Sequence, residues 1–243
     1  MTEKSKGAVT PTDARARLAI ILTTVAFSIG TALFVAGKSW SDGRTAACLT
    51  LTNLTLLGGF ALLRRDREMA RLLLFGLAFG LTELIADALC VLGTGTLDYS
   101  PAQSKMIWLS PWWMPLSWLV VAVQITFLGR GLALRFGRMR GAALAALIGA
   151  VNIPFYEEQA YHAHWWRYVN CRMLGATHTP LYIICAEFII GFSLGWIAAD
   201  SRIYSNTKNA ILLGCLAGAS TIVGGLVGYG LVERIPEWLQ RLR

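Results

Sequence analysis

Long apolar stretches are the feature that most limits how this chain can fold. Seven of them approach the roughly 20 residues that an α-helix needs to cross a bilayer. They lie at Leu18–Ala36, Ala46–Leu63, Leu72–Leu92, Trp112–Gly129, Gly141–Tyr156, Pro180–Ala199 and Ala210–Val232. Only 15% of the residues are charged, whereas soluble domains carry roughly 25%. We therefore predict an all-α fold, a polytopic membrane bundle of about seven transmembrane helices.

The basic residues predict how this bundle is oriented. Fourteen Lys and Arg residues lie on the side of the membrane where the predicted N-terminal tail lies, and eight lie on the opposite side. The positive-inside rule then places the N-terminus in the cytoplasm and the C-terminus outside, in the inner membrane of a bacterial cell. The predicted divisions are a cytoplasmic tail at 1–17, a transmembrane domain at 18–232 and a short external interfacial tail at 233–243. The net charge of +8 resides at helix ends, so we expect no nucleic-acid partner.

Carboxyl groups inside the predicted spans are the main functional signal, because each is costly in hydrocarbon and usually functional. Glu83 and Asp87 are four residues apart on the third span and share one face. Gly76 and Gly80 continue that face and would allow a close neighbour. Glu187 lies in the outer half of the sixth span. Further polar groups of the same leaflet are Asn152, Glu157, Glu158 and Gln124. We expect these groups to meet near the outer side.

Structural roles for the same acids remain open. Glu83 and Asp87 could hydrogen-bond to Gln124 or Asn152, and the pair Glu157–Glu158 could be an interfacial helix end. Glu187 could form an ion pair with one of two loop residues, Arg167 or Arg172.

Aromatic residues crowd the two long loops predicted on the outer side. The residues of interest are Tyr99, Trp112, Trp113, Trp165 and Trp166. Tryptophan and tyrosine at a membrane interface first indicate an anchoring belt. They could also form the wall of a lipid pocket. A carboxylic acid in a dry site can donate a proton to an alkene, and aromatic faces stabilise the resulting cation.

The three histidines offer a second kind of site. Glu158 and His162 are four residues apart, and together with His164 and His178 they could bind zinc. However, His162 and His164 are two residues apart and cannot share one helix face. We therefore expect no metal and no other cofactor.

Short motifs resemble those of integral-membrane isoprenoid enzymes, over the stretch from Leu72 to Phe188. The run Pro154-Phe-Tyr-Glu157-Glu158 resembles the Pro-x-Glu-Glu motif of the small, heterodimer-type membrane lycopene cyclases, with one extra residue. The acids of the third span, followed by Thr94-Gly-Thr-Leu-Asp-Tyr99, look like the membrane carotenoid hydratase family. The overall plan is similar to the membrane terpene cyclases of meroterpenoid pathways. These resemblances imply a metal-independent, acid-initiated cyclase or hydratase of a prenyl chain.

The leading hypothesis is a membrane enzyme that protonates an alkene or epoxide of a hydrophobic isoprenoid or lipid. Asp87 or Glu83 would be the acid, and Glu187, Glu158 or Glu157 would be the base or would stabilise the cation. The substrate-binding candidates are Trp112, Trp113, Trp165, Trp166, Tyr99, Gln124 and Asn152. The alternatives are a small proton-coupled transporter, a non-catalytic lipid-binding subunit, and a metal-dependent lipid hydrolase or oxidase.

Overall fold

The computed structural model of the protein describes residues 11–236 and residue 238. Eight α-helices form within these residues. They are α1 (Pro11–Val35), α2 (Gly43–Leu63), α3 (Arg67–Ala88), α4 (Met114–Phe136), α5 (Arg138–His162), α6 (Leu181–Ala198), α7 (Arg202–Ser205) and α8 (Thr207–Tyr229). All except the short α7 belong to segments long and apolar enough to cross a membrane. The predicted all-α polytopic bundle with seven spans is confirmed, and the chain is an integral membrane protein.

The first helix begins earlier than its apolar stretch. It starts at Pro11 rather than at Leu18, because proline suits the first helical position and Asp13 complements the positive end of the helix dipole. Part of the predicted tail is therefore helical, while residues 1–10 lie outside the described residues. The predicted interfacial tail falls partly on residues 237 and 239–243, which also lie outside them.

The fifth helix extends beyond the predicted span Gly141–Tyr156 at both ends. It continues through Pro154 and ends at His162. Proline is tolerated inside membrane helices, although it lacks the N–H group that would bond to the carbonyl four residues earlier. The hydroxyl of Thr179 donates a hydrogen bond of 3.3 Å to the carbonyl of Pro154 itself, which connects this part of α5 to the loop before α6. The residues beyond Pro154 include the buried Glu157.

Small residues let the helices approach closely at the centre of the bundle. A Cβ atom added at Gly80 of α3 would lie 2.0 Å from the carbonyl oxygen of Pro115 in α4, and one at Gly76 would lie 2.7 Å from that of Leu119. The glycine face of α3 therefore packs directly against α4. Such contacts are typical of helix association in membranes, where backbones meet through small side chains.

Ion pairs connect three helices at one end of the bundle. Arg17 of α1 contacts Asp66 at 2.7 Å and Glu68 at 2.8 Å. Glu68 also pairs with Arg130 of α4. Asp66 in addition caps the N-terminus of α3 by accepting hydrogen bonds from the backbone N–H groups of Glu68 and Met69. This cluster holds α1, α3 and α4 together at the end where the N-terminus lies.

The two long loops interact at the other end. Strand β1 (Leu97–Asp98) pairs antiparallel with β4 (Arg167–Tyr168), and Arg167 forms an ion pair with Asp98 at 2.8 Å. Between them in sequence, β2 (Met106–Ile107) and β3 (Ser110–Pro111) form a hairpin. These pairings bring aromatic and hydroxyl side chains of both loops over the ends of α3 and α5.

Candidate functional site

A cavity of about 280 Å³ lies among the seven spanning helices. Most of its lining is apolar, but four carboxyl groups line it: Glu83 and Asp87 of α3, Glu157 of α5 and Glu187 of α6. All four side chains are buried. The structure thus brings together acids that are about a hundred residues apart in the sequence, as the distribution along the spans led us to expect.

The two acids of α3 have different surroundings. Asp87 Oδ2 accepts hydrogen bonds from the Tyr99 hydroxyl at 2.6 Å and from Ser110 Oγ at 2.7 Å. Glu83 is only 3% exposed, yet its Oε2 atom has no hydrogen-bond partner within the described part of the chain. A buried polar atom without a partner is uncommon in native proteins. Asp87 is therefore held in place by the loop between α3 and α4, whereas Glu83 keeps one oxygen free.

Two phenols of the long loops, Tyr99 near Asp87 and Tyr168 near Glu157, remain hydrogen-bond donors. Burial and the nearby Asp87 raise the pKa of the Tyr99 hydroxyl well above its ordinary value. Burial and Glu157 do the same to the pKa of Tyr168. Both phenols therefore stay neutral at physiological pH. They can donate to a carboxylate or to a polar group of a ligand.

The acids of α5 and α6 complete the carboxyl set. Glu157 Oε2 accepts a hydrogen bond of 2.6 Å from the indole N–H of Trp166. Glu187 does not pair with either of the loop arginines considered from sequence. Arg167 pairs with Asp98, and Arg172 pairs with Glu233. Glu187 therefore forms no ion pair with Arg167 or Arg172.

Aromatic side chains form much of the outer wall, with one correction to the predicted set. Trp113, Trp165 and Trp166 line the cavity, and the Trp166 ring lies 6.4 Å from Trp113 and 6.1 Å from Trp165 between centroids. Trp112 does not line it and is 38% exposed, because the start of α4 turns its neighbour Trp113 inward instead. Sequence reasoning missed Trp118, which follows Trp113 on the inward side of α4.

The predicted amides both line the cavity but do not bond to the acids of α3. Gln124 Nε2 donates to Thr24 Oγ1 at 3.1 Å, across to α1. Asn152 is exposed on α5. The alternative in which these amides fix Glu83 and Asp87 is therefore wrong, since Tyr99 and Ser110 hold Asp87 instead.

Unpaired polar atoms converge on the cavity. Four buried side-chain polar atoms have no hydrogen-bond partner within the described residues, and Asn53 Oδ1, Glu83 Oε2 and Trp113 Nε1 belong to cavity-lining residues. Asn53 of α2 was not predicted. Its signal was available, because it is a lone amide in the middle of an apolar span. The Asn53 amide oxygen, the Trp113 indole N–H and one carboxyl oxygen of Glu83 therefore remain available for a ligand.

Glu158 lies outside the cavity, contrary to its predicted place beside the other acids. Adjacent residues on a helix point about 100° apart, so Glu157 faces inward and Glu158 faces the loop before α6. Its carboxylate contacts His162 at 3.0 Å and His178 at 3.1 Å. His164 is exposed and lies outside this group. Glu158 is therefore separate from the four carboxyl groups that line the cavity.

The family model described as "Domain of unknown function (DUF6989)" matches residues 84–232. No curated protein and no solved structure matches the chain. The matched segment runs from α3 to the end of α8 and includes Asp87, Glu157 and Glu187. Since it covers more than half of the chain, this membrane protein belongs to the DUF6989 family.

Proposed function

We propose that the protein is a membrane-embedded acid–base enzyme that acts on a hydrophobic isoprenoid lipid as a cyclase or hydratase. The observation that carries this proposal is the buried, unpaired Glu83 Oε2 in an apolar cavity that three further carboxyls line. Buried carboxyl groups in a ligand-sized pocket are typical of active sites. The resemblance of short motifs to membrane terpenoid enzymes supports the substrate class.

Glu83 is the proposed acid and Asp87 its partner. Two carboxyl groups on one helix face in a dry site favour sharing one proton, because two negative charges so close repel each other. Tyr99 and Ser110 donate to Asp87 and stabilise its ionised form. The proton then resides on Glu83. The free oxygen of Glu83 has no competing protein partner and can present this proton to an alkene or epoxide.

The remaining groups suit the later steps. Proton transfer from Glu83 forms a C–H bond, or an O–H bond on an epoxide, and leaves a carbocation on the neighbouring carbon. The rings of Trp113, Trp118 and Trp166 line the cavity and would stabilise that cation through their faces. In cyclisation, a second double bond of the prenyl chain attacks the cation, which closes the ring through a new C–C bond and leaves a new cation on the chain. Glu157 or Glu187 then accepts a proton from the carbon next to that cation, and a double bond forms. In hydration, water adds to the first cation instead, and the same carboxylate accepts a proton from the added water.

Product analysis tests this proposal directly. Membranes containing the protein are incubated with prenylated phenols, with and without a terminal epoxide, and the lipids are separated by liquid chromatography and identified by mass spectrometry. Cyclisation gives an isomer of unchanged mass, and hydration adds one water. Transport of intact substrate with no product would favour the carrier hypothesis, and binding without either would favour a lipid-binding subunit.

The proposed orientation places the N-terminus in the cytoplasm and the cavity near the outer face. Reporter fusions at Arg138 and at Ser104 should therefore report opposite sides, cytoplasmic and external respectively. The reason is that α4 separates the two positions and the basic residues favour the N-terminal side. The measurement is the activity ratio of a cytoplasmic and a periplasmic reporter at each position. Equal ratios at both would contradict the helix count as well as the orientation.

A further inference from the structure

Three ligand-type side chains converge at the outer end of α5, away from the cavity. Glu158 Oε1 lies 3.0 Å from His162 Nε2 and 3.1 Å from His178 Nδ1. The ligand atoms of all three residues lie within 4.8 Å of one another. None of the three residues lines the cavity, so the cluster is separate from the proposed active site.

The cluster is organised by contacts outside it. The backbone N–H of His178 donates to Glu158 Oε2 at 2.9 Å, which fixes the carboxylate relative to the loop. The ring of Tyr161 stacks on the His178 imidazole with centroids 3.4 Å apart and planes 8° apart. Supporting contacts of this kind orient metal ligands in known sites. The imidazoles are partly exposed to solvent, so an ion could reach them.

We propose that Glu158, His162 and His178 bind a divalent first-row transition-metal ion, with zinc as the representative. Zinc ligands at 2.0–2.2 Å in a tetrahedral arrangement lie roughly 3.3 Å from one another, close to the two distances observed here. Two imidazole nitrogens favour such an ion over Mg²⁺ or Ca²⁺, which prefer oxygen ligands. Water would occupy the fourth position.

This site does not include His164. His162 and His164 cannot share one helix face, and the cluster uses His178 instead. His162 joins Glu158 across one turn of α5, and His178 comes from the loop before α6. Trp165 and Trp166 lie between residues 162 and 178 and form part of the cavity wall. The bound ion would therefore hold both ends of this segment together.

Metal retention by the full-length protein tests the site. The protein is purified in detergent with a tag that contains no histidine, stripped with EDTA, and dialysed against micromolar Zn²⁺ with excess Mg²⁺. Elemental analysis should find about one zinc per chain in the wild type. His164→Ala, which removes the exposed histidine outside the cluster, should retain the same amount. His162→Ala and His178→Ala should lose it, with affinity falling by roughly 100-fold or more.

Glu158→Gln keeps the test decisive if the alanine variants do not fold. Glutamine has nearly the same size and can still accept the hydrogen bond from the His178 N–H, but its amide is a poor metal ligand. Zinc should raise the Tm of the wild type and of His164→Ala, and should raise that of Glu158→Gln much less. No retained zinc in the wild type would overturn the proposal, as would equal retention by wild type and Glu158→Gln.

Discussion

Replacing Glu83 by glutamine or Asp87 by asparagine should lower turnover by about 10²–10⁴-fold, the usual contribution of general acid–base catalysis. Each amide is nearly isosteric with the acid that it replaces, so packing around α3 changes little. What the glutamine loses is the transferable proton. The asparagine lacks the negatively charged carboxylate that accepts hydrogen bonds from the hydroxyl groups of Tyr99 and Ser110. The measurement is product formation in membranes that contain equal amounts of folded protein.

The matched control for this pair is Asp200→Asn. This substitution also replaces a carboxylate by an amide. Asp200 lies in the segment between α6 and α7, and its carboxylate pairs with the nearby Arg202 at 2.6 Å. It does not line the cavity, so its turnover should stay near that of the wild type. If both α3 variants also retain near-normal turnover, the carboxyls are structural and the proposed acid must be abandoned.

The same assay separates the two candidate bases. Glu157→Gln and Glu187→Gln both keep a hydrogen-bonding group in the cavity, but only one of them should remove the proton acceptor. Trp166 donates a hydrogen bond to Glu157 Oε2 and therefore occupies one of the oxygens through which Glu157 could accept a proton. We therefore expect the larger loss of turnover for Glu187→Gln. A larger loss for Glu157→Gln would reverse the assignment while leaving the acid unchanged.

Replacing Gly80 by alanine should destabilise the bundle severely. The added Cβ would lie 2.0 Å from the Pro115 carbonyl oxygen, and backbone atoms cannot move aside as a flexible side chain can. Overpacking of a core commonly costs about 1–3 kcal/mol, and we expect at least the upper end here because α3 and α4 must separate. The measurement is the Tm in detergent, together with the fraction of protein that remains monodisperse after purification.

Gly59→Ala is the control for this substitution. Gly59 is also a glycine inside a spanning helix, α2, but no atom lies within 4 Å of a Cβ added there. Alanine is the better helix former, so the control should be as stable as the wild type or slightly more stable. A Tm for Gly80→Ala equal to that of Gly59→Ala would show that α3 and α4 do not pack as closely as described.

Hydropathy was sufficient to locate the seven spans, because crossing a bilayer imposes length and apolar composition on each helix separately. It was less reliable at the ends. The fifth span was predicted to end at Tyr156, but α5 continues to His162, and the loop before α6 contacts its last turns through Thr179 and His178. Helix ends depend on such partners, and a local pattern cannot supply them.

Spacing along one helix also predicted part of the site. Glu83 and Asp87 share a face with Gly76 and Gly80, because residues three and four apart are neighbours on a helix. That face does meet a close neighbour, α4. The sequence could not say which residue would hold Asp87. The answer is Tyr99 and Ser110, which the pairing of short loop strands brings to it.

The sequence by itself therefore determined the number of spans, the concentration of carboxyls in one part of the bundle and the shared face of the α3 acids, since these follow from local periodicity and the energetics of the bilayer. The tertiary structure decided which of two adjacent residues faces the cavity. Trp113 faces inward and Trp112 does not, and Glu157 lines the cavity while Glu158 meets two histidines. These outcomes depend on the rotation of each helix about its axis, which only packing against distant parts of the chain fixes.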